Sequence, residues 1–379
     1  MRISRLQLMN WKNFRDVQVD LPTRVFLVGP NASGKSNFLD AVRFLHDIAD
    51  PEGGLEKAVN KRGGVSQVRA FAARKPPIVS IAVEIGTSDD PHSWRYQLGF
   101  KGDRNNRPLI TTEQVLKNGS IILTRPDDKD REDEERLRQT ALEQVSANQT
   151  FRLISEFLRT VKYFHLVPQL VRDPDRSVPV YDDPFGADFL AQMARVPDKT
   201  RSRRIIKIQE FLRICLPLLK EIHFDKDPTT GRPHLKARFE QWRHFAIEQT
   251  EEHLSDGTLR IIGFLWSVLD GDGPLLLEEP ELSLHSEIVK RIPEVIHRLI
   301  VRRGRQVLVS THSPDMFESK GISPPEVLLL SPKPEFTEVK TGAAFPEIVE
   351  VVKQGVPLRD ILPARTAPAN IAQLALFDN

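Results

Sequence analysis

Cysteine is almost absent from this sequence, since Cys215 is the single one among 379 residues. It cannot form an internal disulfide, and such low cysteine use is typical of a reducing cytoplasm. Long apolar runs are also missing. The longest apolar run, 261–269, is far shorter than the roughly 20 residues that span a bilayer. The chain starts directly in an alternating strand pattern rather than a leader peptide. We therefore expect a cytoplasmic protein that does not enter a membrane.

The sequence also lacks internal repeats, long heptad tracts and an excess of one charge, its formal net charge being +2. The absence of heptad tracts excludes a long coiled-coil arm. The small net charge gives no indication for or against nucleic-acid binding. Hydrophobic residues make up 40% and charged residues 28%, which is typical of a globular protein. A chain of this length can bury a sizeable core in one large or two ordinary domains.

Apolar strands alternate with amphipathic helices along much of the chain, which predicts an α/β fold. A hairpin is expected across 225–232, and 127–138 is so rich in mixed charge that we expect a solvated face. The main predicted strands are 2–9, 15–21, 24–28, 78–86, 94–100, 163–167, 274–278, 306–310 and 326–331, and the main predicted helices are 35–46, 258–269 and 284–301.

Residues 29–36, Gly-Pro-Asn-Ala-Ser-Gly-Lys-Ser, fit the G-x-x-x-x-G-K-[ST] pattern of a phosphate-binding loop. A strand precedes the loop and a helix follows it, so that backbone N–H groups and the helix N-terminus converge on phosphate oxygens. We predict that Lys35 reaches the β- and γ-phosphates and that Ser36 binds Mg²⁺. The residues assigned to the nucleotide are Asn31, Ala32, Ser33, Gly34, Lys35, Ser36 and Asn37.

The apolar strand 274–278 ends in two adjacent acids, Glu278 and Glu279. Phosphoryl transfer to water requires one carboxylate near Mg²⁺ and another group that orients or deprotonates the water. Neighbouring side chains on a strand point to opposite sides, so the two acids can divide these tasks. We assign Glu278 to the metal and Glu279 to the attacking water. Glu281 adds a third acid, which by itself would favour an ordinary surface turn.

Two further motifs lie at the ends of predicted elements. Residues 254–258, Leu-Ser-Asp-Gly-Thr, open a helix with Ser255 as N-cap, which alone is typical of an ordinary capped helix. The N-terminus of a helix also attracts anions, which gives the motif a functional interpretation. Strand 306–310 leads into Ser-Thr-His-Ser, where His312 is placed to contact a γ-phosphate or to position water.

In this order, GPNASGKS, LSDGT, LLLEEPE and STHS resemble the ATPase head shared by SMC, RecF and overcoming-lysogenisation-defect (OLD) proteins, which are ABC-type ATPases. The opening residues 8–14 and residues 37–41 are similar to those heads as well. The resemblance covers about 1–100 and 160–345. It implies ATP and Mg²⁺ as cofactors and an active site completed by a second copy of the chain.

The resemblance also implies how two copies share a site. Ser255, Asp256 and Gly257 form the signature, which would bind the γ-phosphate held by the phosphate loop of the other copy. Ser283 would lie in the loop that lines the dimer seam, beside the acids. His312 would be the switch histidine and would act in catalysis together with Glu279.

A glutamine that contacts the metal, the Q-loop residue, is expected between the phosphate loop and the signature. Gln169 is our candidate because it follows a predicted strand, and Gln67 is the alternative. Two positions depart from the family pattern: Glu278 replaces the usual aspartate, and Asp256 replaces a glycine of LSGGQ. The first puts direct Mg²⁺ ligation in doubt, and the second places a negative charge near a phosphate site.

The expected fold is therefore an ABC-type P-loop ATPase head, a mixed β-sheet with helices, plus a helical lobe and a charged insertion. We divide the chain into five parts, which are the N-terminal part of the head (1–110), the charged insertion (111–160), the Q-loop strand and helical lobe (161–257), the C-terminal part of the head (258–362) and a flexible tail (363–379).

For function we expect an ATPase that dimerises with ATP, with larger assemblies open. It would bind DNA and control a separately encoded nuclease or effector in antiviral defence or DNA repair. The alternative is a nucleotide-gated scaffold with slow hydrolysis and no DNA contact. A fused Toprim nuclease, a small-molecule kinase and a transporter domain are disfavoured. The residues proposed for DNA or partner contact are Arg201, Arg203, Arg204 and Lys207.

Overall fold

The computed structural model describes residues 1–70, 77–173, 183–240 and 246–367. In chain order the helices and strands are β1 (Arg2–Trp11), β2 (Phe14–Asp20), β3 (Arg24–Val28), α1 (Lys35–Ala49), α2 (Leu55–Asn60), α3 (Val65–Val68), β4 (Val79–Gly86), β5 (Trp94–Gly102), β6 (Pro108–Lys117), β7 (Ser120–Arg125), α4 (Asp128–Glu132), α5 (Arg152–Arg159), β8 (Lys162–Phe164), α6 (Pro168–Arg172), α7 (Phe189–Arg195), α8 (Asp198–Cys215), β9 (Leu219–Lys226), β10 (Pro233–Glu240), β11 (Ala246–Thr250), α9 (Asp256–Leu269), β12 (Leu275–Glu278), α10 (Ser286–Val289), α11 (Ile292–Arg303), β13 (Val307–Thr311), β14 (Val327–Pro332), β15 (Thr337–Thr341), α12 (Pro346–Lys353) and α13 (Leu362–Thr366).

These elements form two compact units. The first comprises Met1–Lys162, Asp272–Leu276 and the chain from Pro293 onward, and the second comprises Tyr163–Gly271 and Leu277–Ile292. Among the described residues, no helix is both long and apolar enough to cross a membrane.

The first unit contains an antiparallel sheet in the order β2-β1-β4-β5-β6-β7. Its last two strands extend the sheet further than the sequence indicated, because β6 and β7 lie largely in the part assigned to the charged insertion. Alternating burial along β6 explains why it belongs to a sheet, since one face is covered and the other is not. The five-part division of the chain otherwise stays a prediction.

The charged stretch 127–138 is more than the solvated face that its composition predicted. It forms α4 and a short 3₁₀ turn, and Asp130 within it is buried. Arg125 donates to Asp130 at 2.9 Å and to Glu113 at 2.9 Å, and all three side chains lie inside the unit. The mixed charges of this region include a buried ion-pair cluster. Composition alone cannot distinguish buried charged residues from exposed ones.

Parallel strands in the first unit position its functional loops. β3 pairs in parallel with β13 on one side and with β14 on the other. All five residues of β3 are buried, as its apolar sequence predicted. Helix α1 follows β3 and buries the predicted face of Phe38, Leu39, Val42 and Leu45. The carboxyl ends of β3 and β13 therefore lie side by side at one edge of a sheet.

The second unit contains the helices α7 and α8 and a three-stranded sheet in the order β11-β10-β9. The antiparallel pairing of β9 with β10 confirms the predicted hairpin. The long helix predicted at 284–301 is wrong, because α10 ends at Val289 and α11 begins at Ile292. Pro293 explains the break, since proline has no N–H to continue the helical hydrogen bonds. Of the predicted tail, 363–366 belong to α13 and 368–379 lie outside the described residues.

Candidate nucleotide site

The phosphate loop has the backbone that its sequence predicted. It joins β3 to α1, with Ala32 at φ 60° and Gly34 at φ 94°, in the left-handed region. A Cβ at Gly29 would lie 2.5 Å from the carbonyl oxygen of Leu330, so the close approach of β14 requires glycine there. Lys35 Nζ donates to the carbonyl oxygen of Gly29 at 3.0 Å, which folds the lysine back over its own loop.

Asn13, in the turn between β1 and β2, braces this loop. Its side-chain nitrogen donates to the carbonyl oxygen of Ser33 at 3.1 Å and to Thr337 Oγ1 at 2.8 Å. Its side-chain oxygen accepts from Asn37 Nδ2 at 2.8 Å. A Cβ at Gly34 would lie 2.1 Å from the Asn13 amide, which explains the glycine. Asn13 had no role predicted from the sequence, although the residue lies in the opening motif of the resemblance.

His312 lies at the same sheet edge as the phosphate loop. In the parallel register Thr311 pairs with Val28, so His312 and Gly29 each follow the last paired residue of their strand. Both residues line a cleft of about 210 Å³. The described residues lining this cleft are Val28, Gly29, His312, Ser313, Pro314, Phe317, Leu362, Pro363, Thr366 and Ala367.

The residues of the phosphate loop in the first unit fit a nucleoside triphosphate. The loop wraps the N-terminus of a 15-residue helix, whose first turn directs N–H groups toward an anion. Ser33 Oγ is buried without a hydrogen-bond partner among the described residues, which leaves a polar atom inside the loop for a ligand to satisfy. Ser36, in the first turn of α1, places a hydroxyl where Mg²⁺ would be held beside phosphates.

Glu278, which we assigned to the metal, and Glu279, which we assigned to the attacking water, belong to the second unit. Tyr163 donates its hydroxyl hydrogen bond to Glu278 Oε2, and His165 Nδ1 lies 3.2 Å from the Glu278 carbonyl oxygen. Glu279 has φ 44°, an uncommon conformation for a residue with a side chain. Such backbone strain clusters at functional sites, because the surrounding structure must hold it. Sequence reasoning missed Tyr163, since a lone tyrosine on a strand gives no functional signal.

The signature residues begin a helix that a seam loop touches. Ser255 is the N-cap of α9, its Oγ accepting from the Thr258 N–H at 3.2 Å. A Cβ at Gly257 would lie 2.7 Å from the carbonyl oxygen of Ser283. Ser283 itself has φ 61°. The structure thus brings Gly257 and Ser283 together, and glycine permits their contact. Their roles at a dimer seam stay predictions.

Arg260, inside the second unit, is under the electrostatic influence of the signature and of the neighbouring acids. It lies one turn along α9 from Asp256. Burial lowers the pKa of its guanidinium, while the carboxylates of Asp256, Glu279 and Glu281 act to raise it. Arg260 was not among the predicted site residues. Its i, i+4 spacing from Asp256 on one helix was the only signal in the sequence.

The two glutamine candidates for the Q-loop occupy different units. Gln169 lies in α6 of the second unit, where its Nε2 donates to Asp256 Oδ2 at 3.3 Å. Gln67 lies exposed in α3 of the first unit. Gln169 therefore contacts the signature of its own chain. The assignment of Gln169 to the metal stays a prediction.

Two of the four basic candidates are engaged in internal contacts. Arg201 donates to the Val196 carbonyl oxygen at 3.0 Å and stacks on Phe224 at 4.4 Å. Arg204 pairs with Asp270 at 2.8 Å and stacks on Trp266 at 5.0 Å. The remaining two side chains are exposed on α8, and these are Arg203 and Lys207.

Comparison with solved structures identifies the fold. The chain is similar to a SmcHead bound to the C-winged helix domain of ScpA, with a TM-score of 0.53 and 15% identity over 90% of this chain and 97% of that one. It is also similar to an Smc head domain with an extended coiled coil, bound to the C-terminal domain of ScpA derived from Pyrococcus furiosus. There the TM-score is 0.50 and the identity 13%, over 93% and 99% of the two chains. The fold is that of an SMC-like, ABC-type ATPase head.

Residues 24–316 match the family described as "AAA domain, putative AbiEii toxin, Type IV TA system", and the chain belongs to that family. It is also similar to the DNA replication and repair protein RecF of Chloroflexus aggregans, with 26% identity over 118 residues, 31% of this chain and 29% of the relative. For RecF of Acaryochloris marina the identity is 28% over 127 residues, 31% of this chain and 34% of the relative. The match thus spans about a third of these relatives. Together these findings confirm an SMC/RecF-like ABC ATPase head.

Proposed function

We propose that this protein binds ATP with Mg²⁺ and hydrolyses it at sites shared between two head-to-tail copies. The observation that carries the proposal is the parallel pairing of β3 with β13, which sets the phosphate loop and His312 at one sheet edge. A loop for phosphates and a titratable group beside it are what hydrolysis of a terminal phosphate requires.

Each residue of the first unit has a defined task in this proposal. The phosphate loop and Lys35 bind the triphosphate, and Asn13 holds the loop in its binding conformation. His312 donates a hydrogen bond to the γ-phosphate or orients the attacking water. Ser36 would hold Mg²⁺, which neutralises phosphate charge when bound.

In the second unit, Glu279 accepts the proton of the attacking water, and Tyr163 orients Glu278 through its hydroxyl. The signature presents Ser255 and Gly257 to the nucleotide of the other copy. Two features support this shared arrangement. The signature lies at the N-terminus of a 14-residue helix, which favours an anion, and Ser283 packs against Gly257 as a seam loop would.

We further propose that hydrolysis controls DNA binding and a separately encoded partner. The RecF relatives are named for DNA replication and repair, and the similar Smc heads were solved with ScpA bound. The description of the matching family names a putative AbiEii toxin of a Type IV TA system. Defence against phage and DNA repair are the two processes that such a partner would serve.

One observation favours the nucleotide-gated scaffold as a second candidate function. Arg201 and Arg204 are held by internal ion pairs, carbonyl oxygens and aromatic rings, so the basic cluster on α8 presents less charge to DNA than its sequence suggested. In that function ATP closes the dimer around a protein partner and hydrolysis is slow.

Steady-state ATP hydrolysis as a function of protein concentration tests the proposal. We expect the rate per chain to rise with concentration in the wild type and to fall by about 100-fold or more in Glu279→Gln, since loss of a general base has that effect. Nucleotide binding by Glu279→Gln should stay normal. A rate independent of concentration, or full activity of Glu279→Gln, would refute the shared site or the acid assignment.

Duplex DNA distinguishes the two candidate functions. A DNA-linked ATPase should bind duplex DNA with an affinity that falls as salt rises, because bound cations are released from the phosphates. Binding should be weaker in the double variant Arg203→Glu, Lys207→Glu. Absence of salt-sensitive binding, with turnover below about one per minute, would support the scaffold.

A further inference from the structure

The carboxylate of Asp256 is held by two side chains of α6. Arg172 Nη2 donates to Asp256 Oδ1 at 2.6 Å, and Gln169 Nε2 donates to Oδ2 at 3.3 Å. The same Arg172 nitrogen donates to the carbonyl oxygen of Leu254 at 2.6 Å. Arg172 therefore contacts the signature on both sides of Ser255. It binds the backbone of Leu254 and the side chain of Asp256.

An aspartate at this point opposes the proposed task of the signature. Ser255 and Gly257 are to receive a phosphate, and Asp256 lies between them in the chain. A negative charge attracted to the helix N-terminus would compete with that phosphate and repel it. Asp256 is partly exposed, with 39% of its side chain accessible. Its charge therefore needs a fixed counter-ion if an anion is to bind beside it.

Arg172 is better placed than Arg260 to supply this counter-ion. Burial lowers the pKa of Arg260, and the carboxylates of Asp256, Glu279 and Glu281 influence it together. Arg172 makes a short ion pair with Asp256, and its own side chain is 24% accessible. A guanidinium that is partly withdrawn from water interacts more strongly with its partner than an exposed one.

We propose that Arg172 is a positioning residue of the signature, which neutralises Asp256 and fixes Leu254 so that Ser255 and Gly257 accept the phosphate of a second copy's nucleotide. This inference rests on the proposed function and adds a residue to it. It also explains how this chain accommodates an aspartate where LSGGQ has glycine. Arg172 acts through the signature and touches no reacting atom.

A double substitution that removes both charges tests the pairing. Arg172→Ala should lower kcat for ATP hydrolysis by about 30-fold, while the affinity for a fluorescent ATP analogue, which reports on the phosphate loop, stays within about 2-fold. Asp256→Asn alone is the second single variant, which completes the double-mutant cycle. Arg172→Ala combined with Asp256→Asn should recover most of the lost rate, because no unpaired charge remains.

A merely structural role for Arg172 gives a different pattern. The double variant would then be as slow as Arg172→Ala, and the proposal would be wrong. Arg172→Gln, which keeps neutral donors for Leu254, serves as a second variant and should fold as the wild type does in thermal unfolding. Wild-type turnover by Arg172→Ala would overturn the proposal as well.

Mixing two impaired variants distinguishes a failure of this inference from a failure of the proposed function. A Lys35→Ala copy has a defective phosphate loop but an intact signature, and an Arg172→Ala copy has the reverse. Their mixture should hydrolyse ATP faster than the sum of the separate proteins. The reference mixture is Lys35→Ala with Ser255→Arg. If only the reference mixture recovers activity, Arg172 does not act through the signature. If neither mixture recovers, the shared site itself is refuted.

Discussion

The side-chain nitrogen of Asn13 donates a hydrogen bond of 3.1 Å to the carbonyl oxygen of Ser33 inside the phosphate loop. The two residues lie on different elements, the turn between β1 and β2 and the loop that follows β3. The antiparallel sheet of the first unit is thereby joined directly to the nucleotide loop. A shift of the turn that carries Asn13 would change how the loop holds phosphate.

Asn13→Ala should therefore weaken nucleotide binding. The substitution removes hydrogen bonds to Ser33 and Thr337 and leaves the Asn37 amide without its acceptor. We expect the Kd for ATP to rise about 5- to 30-fold, as the loss of one to two net hydrogen bonds predicts. Titration with a fluorescent ATP analogue measures this directly.

Asn148→Ala is the matched control for this substitution. Asn148 is buried and donates to the Leu142 carbonyl oxygen, away from the phosphate loop. It should lower the melting temperature but leave the Kd for ATP unchanged. Equal affinities of Asn13→Ala and the wild type would show that the loop keeps its conformation without the brace.

Gly257→Ala should separate nucleotide binding from hydrolysis. The added Cβ would lie 2.7 Å from the Ser283 carbonyl oxygen, so the seam loop must move. We expect at least a 10-fold loss of ATP turnover and of ATP-dependent dimerisation, with nucleotide affinity unchanged. Light scattering and a turnover assay measure the two losses.

Gly321→Ala serves as the control for Gly257→Ala. Its Cβ would meet Ser319 Oγ at 3.5 Å, an ordinary contact distance. This variant should behave as the wild type does in both assays. Normal dimerisation and turnover by Gly257→Ala would mean that the seam loop adapts without cost.

Sequence reasoning predicted the parts of the site that depend on local pattern. The phosphate loop needs a fixed order of glycines and a strand and helix around it, and β3 and α1 have the bounds that this order implies. The hairpin of β9 and β10 and the N-cap at Ser255 are local in the same sense. Such features follow from neighbours in the chain, which a single sequence displays.

Contacts between distant residues could not be predicted in this way. Asn13 meets Ser33 and Thr337, and Arg172 meets Asp256 more than eighty residues later. Polar side chains at loop positions are common, so their types carry no sign of the partner they will find. Pro293 marks the break between α10 and α11 in the sequence, but the prediction of one helix at 284–301 did not take it into account.

Glu143 makes the stability of the first unit depend on pH. Its carboxylate accepts from the N–H groups of Leu55 at 2.8 Å and Thr140 at 2.6 Å. Burial raises its pKa from the usual 4.5 to about 7, although these hydrogen bonds oppose the shift. The folded state thus holds a proton that the unfolded chain has already lost at pH 6.

The sign of the effect follows from that difference. The contribution of Glu143 to stability is complete below about pH 4.5 and is lost as pH rises through about 7. Each unit of difference between the folded and unfolded pKa values corresponds to about 1.4 kcal/mol, so the loss amounts to about 3 kcal/mol. Urea unfolding at pH 5 and pH 8 should show it as a difference between the wild type and Glu143→Gln. Identical pH dependence of both proteins would contradict the assignment, and Glu135→Gln is the exposed control.

Arg125→Ala should destabilise the first unit far more than Arg131→Ala does. The substitution leaves Glu113 and Asp130 buried without their shared cation, and such uncompensated burial costs about 3–5 kcal/mol. Tyr96, which donates to Glu113 at 3.1 Å, would retain only part of the network. Urea unfolding measures the change.

Arg131→Ala is the control, because its ion pair with Asp128 is exposed and should contribute less than about 1 kcal/mol. Similar stabilities for the two variants would mean that the cluster is open to water, and 127–138 would then be the solvated face that its composition predicted.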